Sequence, residues 1–376
     1  MLSFYGAILV PKPHRKESIM YINKISHNES KEQTKFYIGI DVHKKNWAVT
    51  IRALGMGLQT FSMVPSPKDL AKHMKRRYPD GLYVSAYEAG FCGFWIHHEL
   101  VAHGIVNRVV HAADVPTTNK EKVHKQDKVD SRKLARELEN GGLNAIYIPS
   151  SEHQQLRTLC RSRKSCTEQS TRIKNRIKGN LAYYGIALSD SETTRHWSAA
   201  FIHDLEGLCV EDTAQSASLR FLIEELKEHR FRLSRITREL KRFCKKSGYA
   251  KTLKHLLTVP GLGFITAATL ITEIIDINRF KKIDDLCSYV GLVPSTHSSG
   301  DKQRINGLTP RKNKRLKHLI IEAAWVSIRK DPQLLETFSG LIKRMTKTDA
   351  IIRICRKLLN RIRYVWKNQT DYAMAF

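Results

Sequence analysis

Residues Phe36 to Ile51 read FYIGIDVHKKNWAVTI, and the fold turns on them. An apolar run, Phe36-Tyr37-Ile38-Gly39-Ile40, ends on a single carboxylate, Asp41. After a short polar corner, Trp47-Ala48-Val49-Thr50-Ile51 returns as a second strand. A run this apolar predicts a central strand buried on both faces and paired with its neighbour as a hairpin. A carboxylate where such a strand ends is costly unless something cationic meets it. As a solvated turn residue it would need no partner, since Asp is favoured in turns. The acids that follow separate these two readings.

Downstream, to about Pro149, the pattern alternates strand and helix. Leu82 to Glu88, LYVSAYE, predicts a strand ending in an acid, followed by Ala89-Gly90 and an amphipathic helix through Trp95 and Leu100. Gly104 to Val110 predicts another strand. The segment KQDKVD, 125–130, opens a helix that continues through Leu134, Ala135 and Leu138. A hairpin first and βα alternation afterwards predict an α/β domain, a mixed sheet with flanking helices. Asp41 and Glu88 then close strands, while Asp127 and Asp130 open a helix. At i and i+3 those two share one helix face, which is also the spacing of an N-cap and its acidic partner. Together the four acids suit two hard divalent cations such as Mg²⁺, which prefer oxygen ligands and near-octahedral geometry. Two such ions roughly 4 Å apart stabilise both the attacking and the leaving oxygen in phosphodiester cleavage.

With 376 residues the chain has room for two or three domains and a sizeable core. Its net charge of +28 is spread along most of its length. A protein this basic expects a polyanion, since each neutralised phosphate releases counterions. An acidic membrane surface competes for that role, but no stretch approaches the roughly 18 apolar residues of a spanning helix. Seven cysteines, at 92, 160, 166, 209, 244, 287 and 355, are scattered without a CxxC pair. That pattern predicts reduced thiols in the cytoplasm and argues against a disulfide scaffold or zinc ribbon. Residues 1–35 lack a clear period and are polar and basic from Pro11 onward, reading as a mobile extension with Met20 an alternative start. Phe4 to Val10 is too short for a secretory signal.

The segments GIDVHKKNWAV, YEAG and KQDKVDSRKLA resemble the RuvC-like DEDD domain of Piv-type invertases and insertion-sequence-110 family transposases. The similarity runs from about Phe36 to the C-terminus. It implies a RuvC/RNase H-like domain over 36–150 that binds Mg²⁺ through Asp41, Glu88, Asp127 and Asp130. Gln126 stands where the family usually has Thr, beside the acids but not among them.

Residues 151–249 change character. The stretch from Leu156 to Gly185 is helical and basic, carrying Arg161, Arg163, Lys164, Arg172, Lys174, Arg176 and Lys178 against Glu168. Farther on, Leu219, Leu222, Leu226, His229, Leu233, Ile236, Leu240 and Phe243 fall at successive a and d positions. That spacing suits a coiled-coil seam, within the chain or between protomers, or an ordinary amphipathic helix. The family resemblance implies a coiled-coil linker between two domains.

Residues 250–376 predict a mostly α-helical domain. Leu256 to Gly263, then TAATLITEI, reads as a helix-hairpin-helix in which Gly261 and Gly263 let backbone amides approach a phosphate; a plain αα corner is the alternative. Between Lys302 and Lys317 lie seven bases, Lys302, Arg304, Arg311, Lys312, Lys314, Arg315 and Lys317, and no acid, which marks a nucleic-acid surface. Ser298-Ser299-Gly300 precedes them in an irregular segment. A Ser before Gly usually marks only a turn, and nothing local supplies an obvious base to activate a nucleophile. In the resembling family, however, a pattern GLxP…SSG…TxR-GN carries a serine that attacks DNA. The matching residue is Ser299, with Ser298 next to it, and Lys312 replaces the Gly before Asn313.

The expectation is a DNA transposase or recombinase of a bacterial mobile element, with Mg²⁺ as cofactor. What the resemblance further implies is a structured guide RNA; recombination that cuts several strands together implies a dimer or tetramer. The alternatives are a structure-selective, metal-dependent nuclease of the resolvase type, without a covalent intermediate, and a non-catalytic nucleic-acid-binding protein.

Overall fold

The computed structural model describes residues 33–116, 127–186, 196–209, 211–299, 302–308 and 312–373, with backbone alone at 127–128, 295–299 and 302–308. Most of the N-terminal extension lies outside the described residues. Two compact units emerge, Met1–Ile148 and Pro149–Phe376.

The first unit is built on a five-stranded mixed sheet of order β3-β2-β1-β4-β5. Strand β1, Lys35–Val42, pairs antiparallel with β2, Trp47–Ala53, in the expected hairpin. The third strand, Met56–Met63, was not legible in the pattern, being half polar. It follows a two-residue turn in which Leu54 and Gly55 both have positive φ, 51° and 76°, as a tight hairpin twisting with its strands requires. On its other side β1 pairs in parallel with β4, Leu82–Glu88, which pairs in parallel with β5, Val106–Val110.

Period-2 alternation assigns each side chain of β1 to a face. Ile38 and Ile40 join Val49, Ile51, Tyr83, Tyr87 and Val109 in a core shared with helices α1, Pro67–Arg77, and α2, Trp95–Ala102, which contribute Leu70, Met74, Ile96 and Leu100. The opposite face carries Tyr37, Val84 and Ala86 against helix α3, Asp127–Glu139, which contributes Leu134 and Leu138. The apolar run of β1 is thus buried from both sides.

The second unit is mostly helical. Helices α4, Ser151–Tyr183, and α6, Ala214–Lys246, pack along one another. Arg163 meets Thr237 and Arg176 meets Glu225, so the two run antiparallel. At one end they close over α5, Ala199–Gly207, with Trp197 and Phe201 in the core. At the other, Leu156, Cys160, Leu240 and Cys244 join the core of the remaining helices. These are α7 (Ala250–Leu257), α8 (Phe264–Ile274), α9 (Ile283–Val290), α10 (Lys314–Ser327), α11 (Pro332–Ile342) and α12 (Lys347–Asn368).

The heptad expectation needs a correction of register at its two ends. Leu219, Leu226 and Leu240 are buried and His229 faces Cys166, but Ile223 rather than Leu222 is fully buried, and Cys244 replaces Phe243, which is 45% exposed. The partner for this seam is α4 of the same chain, and α4 with Trp197 and Phe201 decides which of two adjacent side chains is enclosed. All seven cysteines are free thiols. Among the described residues no helix is long and apolar enough to cross a membrane.

Candidate active site

The acids of the first unit converge on one corner of the sheet, and Gly39 explains how. A Cβ built on Gly39 would lie 2.1 Å from the Ser131 carbonyl oxygen and 2.5 Å from the Ala135 nitrogen. Helix α3 therefore rests on bare backbone at this point of β1, a close approach only glycine permits. Two further ties set its direction. The Thr50 and Ser131 hydroxyls lie 2.9 Å apart, and Arg52 Nε donates to Glu139 Oε2 at 2.7 Å. Thr50 pairs with Gly39 and Arg52 with Tyr37. The helix consequently runs antiparallel to β1, its first turn toward the carboxyl ends of the parallel strands.

Asp41 lies two residues beyond Gly39 and so shares the face that α3 covers. Glu88 lies two residues beyond Ala86 on the adjacent strand, on the same face by the same alternation. One residue earlier, Ile40 and Tyr87 are the last parallel pair recorded between the strands. Asp130 sits in the first turn of α3 and Asp127 is its first residue; the Asp127 side chain lies outside the described residues. Asp41, Glu88 and Asp130 side chains are 23%, 34% and 33% exposed, open enough for an ion and a phosphate to reach them. Asp41 Oδ2 is bonded to His43 Nε2 at 3.1 Å. Lys133 places its ammonium 3.1 Å from Asp130 Oδ1 and 3.8 Å from Glu88 Oε1. Among the described residues no three His, Cys, Asp or Glu side chains gather into a metal cage. The donor chemistry still suits a hard cation: oxygens only, with one ammonium already drawn in beside two of them. Sequence patterning alone did not reveal Lys133.

Ser298 and Ser299 do not lie in an irregular segment. They end β6, Pro294–Ser299, which pairs antiparallel with β7, Lys302–Leu308; Ser299 is opposite Lys302 and Ser298 opposite Gln303. Both serines thus stand at the tip of a β-arm whose strands are separated by two residues, 300 and 301. Alternation was masked in sequence because the strands carry few apolar residues. Lys302 and Arg304 lie on β7; their side chains and Arg311 are outside the described residues.

The neck of the arm is well defined. Gly291, at φ +85°, ends α9, and a Cβ there would lie 2.3 Å from Lys312 Cβ. The Asn313 amide donates to the Tyr289 carbonyl at 3.0 Å. Asn313 caps α10, accepting from the Arg315 and Leu316 amides, and its Nδ2 donates to Glu273 Oε2 at 3.3 Å. Tyr289 Oη donates to the Glu273 carbonyl at 2.8 Å. Both sides of the neck are therefore pinned to Glu273 on α8. Arg161 grips the Glu273 carboxylate and Arg157 Nε lies 4.0 Å from it. Burial pushes the Glu273 carboxyl up, but the bonds and charge of Arg161, with Arg157 and Asn313, outweigh it and hold it below the usual range. A lone acid inside the apolar run TAATLITEI was the signal in sequence; its partners, over a hundred positions upstream, left none.

Several bases of the basic helix α4 have partners within the fold. Arg161 is committed to Glu273, Arg163 to Thr237 and Arg176 to Glu225. Lys312 packs on Gly291 and Lys317 is half-buried, whereas Lys314 and Arg315 are exposed at the start of α10. Arg315 lines a cavity of about 220 Å³ with Arg161, Arg163, Lys164 and His318.

Helices α7 and α8 are joined by residues 258–263. Gly261, however, is turned inward. At φ +88° its missing Cβ would meet Ser327 Oγ at 2.3 Å and the Ala323 carbonyl at 2.5 Å, and Ser327 Oγ donates to the Pro260 carbonyl. It lets α10 pack close. Gly263, at the N-cap of α8, is exposed with nothing near its Cβ position.

Comparison with known proteins adds identity to this geometry. Residues 38–186 match the family model for DEDD transposases of the IS110 type, and residues 253–339 match that described as transposase IS116/IS110/IS902 family. The transposase for insertion sequence element IS1111A of Coxiella burnetii is 24% identical over 240 residues, covering 64% of this chain and 65% of that protein. The transposase for insertion sequence element IS1328 of Yersinia enterocolitica is 26% identical over 222 residues, 58% and 62% of the two chains. The pilin gene-inverting protein of Moraxella lacunata is 30% identical over 246 residues, 62% and 64%.

Proposed function

The chain belongs to the IS110/IS116/IS902 transposase family, and we propose that it cuts and rejoins DNA at the ends of a bacterial insertion sequence through a serine nucleophile. The observation that carries this reading is the placement of Asp41 and Glu88 at the carboxyl ends of adjacent parallel strands, beside a helix that begins at Asp127 and whose Lys133 reaches both Asp130 and Glu88. The strand order 3-2-1-4-5 supports a RuvC/RNase H-like domain.

Asp41, Glu88, Asp127 and Asp130 would hold Mg²⁺, which when bound supplies Lewis acidity toward a phosphodiester. Asp41 is oriented by His43, and Glu88 and Asp130 by Lys133. On the β-arm, Ser299 Oγ would attack phosphorus, forming a serine–phosphate ester as one bridging P–O bond breaks and the freed DNA hydroxyl takes up a proton. Reversal of that step by an incoming DNA hydroxyl rejoins the strand. The neck held by Glu273 and Asn313 fixes where the arm leaves the helical body. Gly263 and the bases Lys302, Arg304, Arg311, Lys312, Lys314, Arg315 and Lys317 would meet phosphates, Lys314 and Arg315 being the exposed ones described. With a net charge of +28, DNA and a structured guide RNA can be bound together, as a homo-oligomer working in the cytoplasm.

A second reading has one observation in its favour: all four acids belong to one compact unit, which suits a metal-dependent nuclease without a covalent intermediate. One experiment separates the two. Wild type, Ser299→Ala and Ser298→Ala are incubated briefly with element-end DNA, denatured, and assayed for protein linked to DNA. The recombinase gives an adduct lost in Ser299→Ala, with DNA binding retained. Efficient cutting without an adduct, or an adduct persisting in Ser299→Ala, overturns the serine mechanism; loss only in Ser298→Ala moves the nucleophile by one residue. RNA recovered with the purified protein tests the guide.

A further inference from the structure

Lys133 is a buried cation in a corner built of acids. Its side chain is 8% exposed, in a run where Ser131, Leu134 and Ala135 are also buried against the sheet. A buried ammonium is tolerated only when paired, and its partners are two of the four candidate metal ligands, Asp130 at 3.1 Å and Glu88 at 3.8 Å. The geometry follows from the helix. Side chains lean toward a helix's N-terminus, and the first turn of α3 points at the carboxyl ends of β1 and β4. A lysine one turn after Asp130 is therefore delivered into the acid corner rather than away from it.

Resting on the reading of these acids as metal ligands, we propose that Lys133 is a positioning residue that acts as a resident cation. Without a divalent ion its ammonium holds Glu88 and Asp130 together across the gap between strand and helix, and cancels part of their mutual repulsion. A divalent ion entering the corner meets a like charge and displaces the ammonium from at least one carboxylate. Lys133 thus keeps the corner assembled when empty and weakens divalent-ion binding, so that the ion is held firmly only when a substrate phosphate adds its own negative charge and oxygen ligands.

The test is Mn²⁺ binding to the full chain without DNA, followed by calorimetry and by the loss of free-Mn²⁺ electron paramagnetic resonance signal. Lys133→Met keeps the stem and removes the charge, and should bind Mn²⁺ about tenfold more tightly than wild type, the scale of one like charge at this range. Lys133→Arg should stay near wild type. Lys133→Met binding equal to or weaker than wild type overturns the proposal. A readout on unmutated protein guards against a misfolded variant: acetylation of Lys133 by acetic anhydride, quantified by mass spectrometry, should rise when Mn²⁺ is added. Unchanged or reduced acetylation under saturating Mn²⁺ overturns it too. Failure of the underlying reading looks different: neither wild type nor Lys133→Met binds Mn²⁺ in a way that Asp130→Asn weakens.

Discussion

Arg161 binds Glu273 through two parallel hydrogen bonds, Nε to Oε1 at 2.9 Å and Nη2 to Oε2 at 3.0 Å, and the Glu273 side chain is 3% exposed. This fork joins α4 to α8, and through Asn313 it reaches the neck of the serine arm. Such planar, bidentate geometry is specific to arginine.

Removing Glu273 leaves Arg161, whose side chain is 43% exposed and can turn to water, and the more enclosed Arg157, 14% exposed, without their acid. Glu273→Ala should therefore destabilise the second unit by about 1–3 kcal/mol, read as a lower urea midpoint with unchanged slope. Glu273→Gln keeps a hydrogen-bond acceptor and should cost less. A wild-type midpoint in Glu273→Ala would show that the fork is incidental.

The same carboxylate predicts a pH dependence. Its folded pKa lies below its ordinary value, so the folded state favours the charged form. The stabilisation is complete above the ordinary carboxylate range and is lost as pH falls through the lowered folded value. As pH falls from just above the ordinary carboxylate range to below it, wild type should lose more stability than Glu273→Gln in parallel thermal melts. Equal losses would place the acid sensitivity elsewhere.

Gly39→Ala places a methyl group against backbone of α3, where no rotamer change relieves it. Helix α3 must lift from the sheet, at a cost of about 1–3 kcal/mol or more. DNA cleavage should fall further than stability does, because Asp127, Asp130 and Lys133 travel with that helix. A variant with wild-type melting temperature and cleavage would refute the account of how the acids are gathered.

Asp41→Asn and Asp130→Asn should abolish strand cleavage while leaving circular dichroism and melting behaviour near wild type, since both side chains are partly open to solvent. Full cleavage by either variant, or by wild type in EDTA, would remove the acids from the chemistry.

The buried seam makes a contrast within one helix. Leu226 is 0% exposed, against 45% for Phe243. Leu226→Lys should unfold the antiparallel helix pair, because a charge enters its core, whereas Phe243→Lys should fold normally. Light scattering of Leu226→Lys showing an intact fold and only altered mass would move the seam to a subunit interface.

What the sequence determined by itself was local and periodic. The apolar run before Asp41, the acid closing LYVSAYE and the two acids at i and i+3 each have a meaning readable within ten residues. Strand alternation alone sets Asp41 two positions from Gly39, on one face. The hairpin of β1 and β2 and the helical character beyond residue 150 follow from the same short periods. Only the tertiary structure decided which faces meet. Adjacent residues Leu222 and Ile223, or Phe243 and Cys244, are equally apolar by pattern, and burial is assigned by a helix some sixty residues upstream, as the Cys166–His229 contact shows at a separation of 63. Gly261 had the composition of a phosphate turn but packs on Ser327. Arg161 was one base among many in a basic helical stretch but closes on Glu273, 112 positions away. Lys133 looked like one more base in a basic chain until α3 settled on Gly39 and carried it among the acids. A charge's partner is chosen by burial, and burial depends on the whole fold.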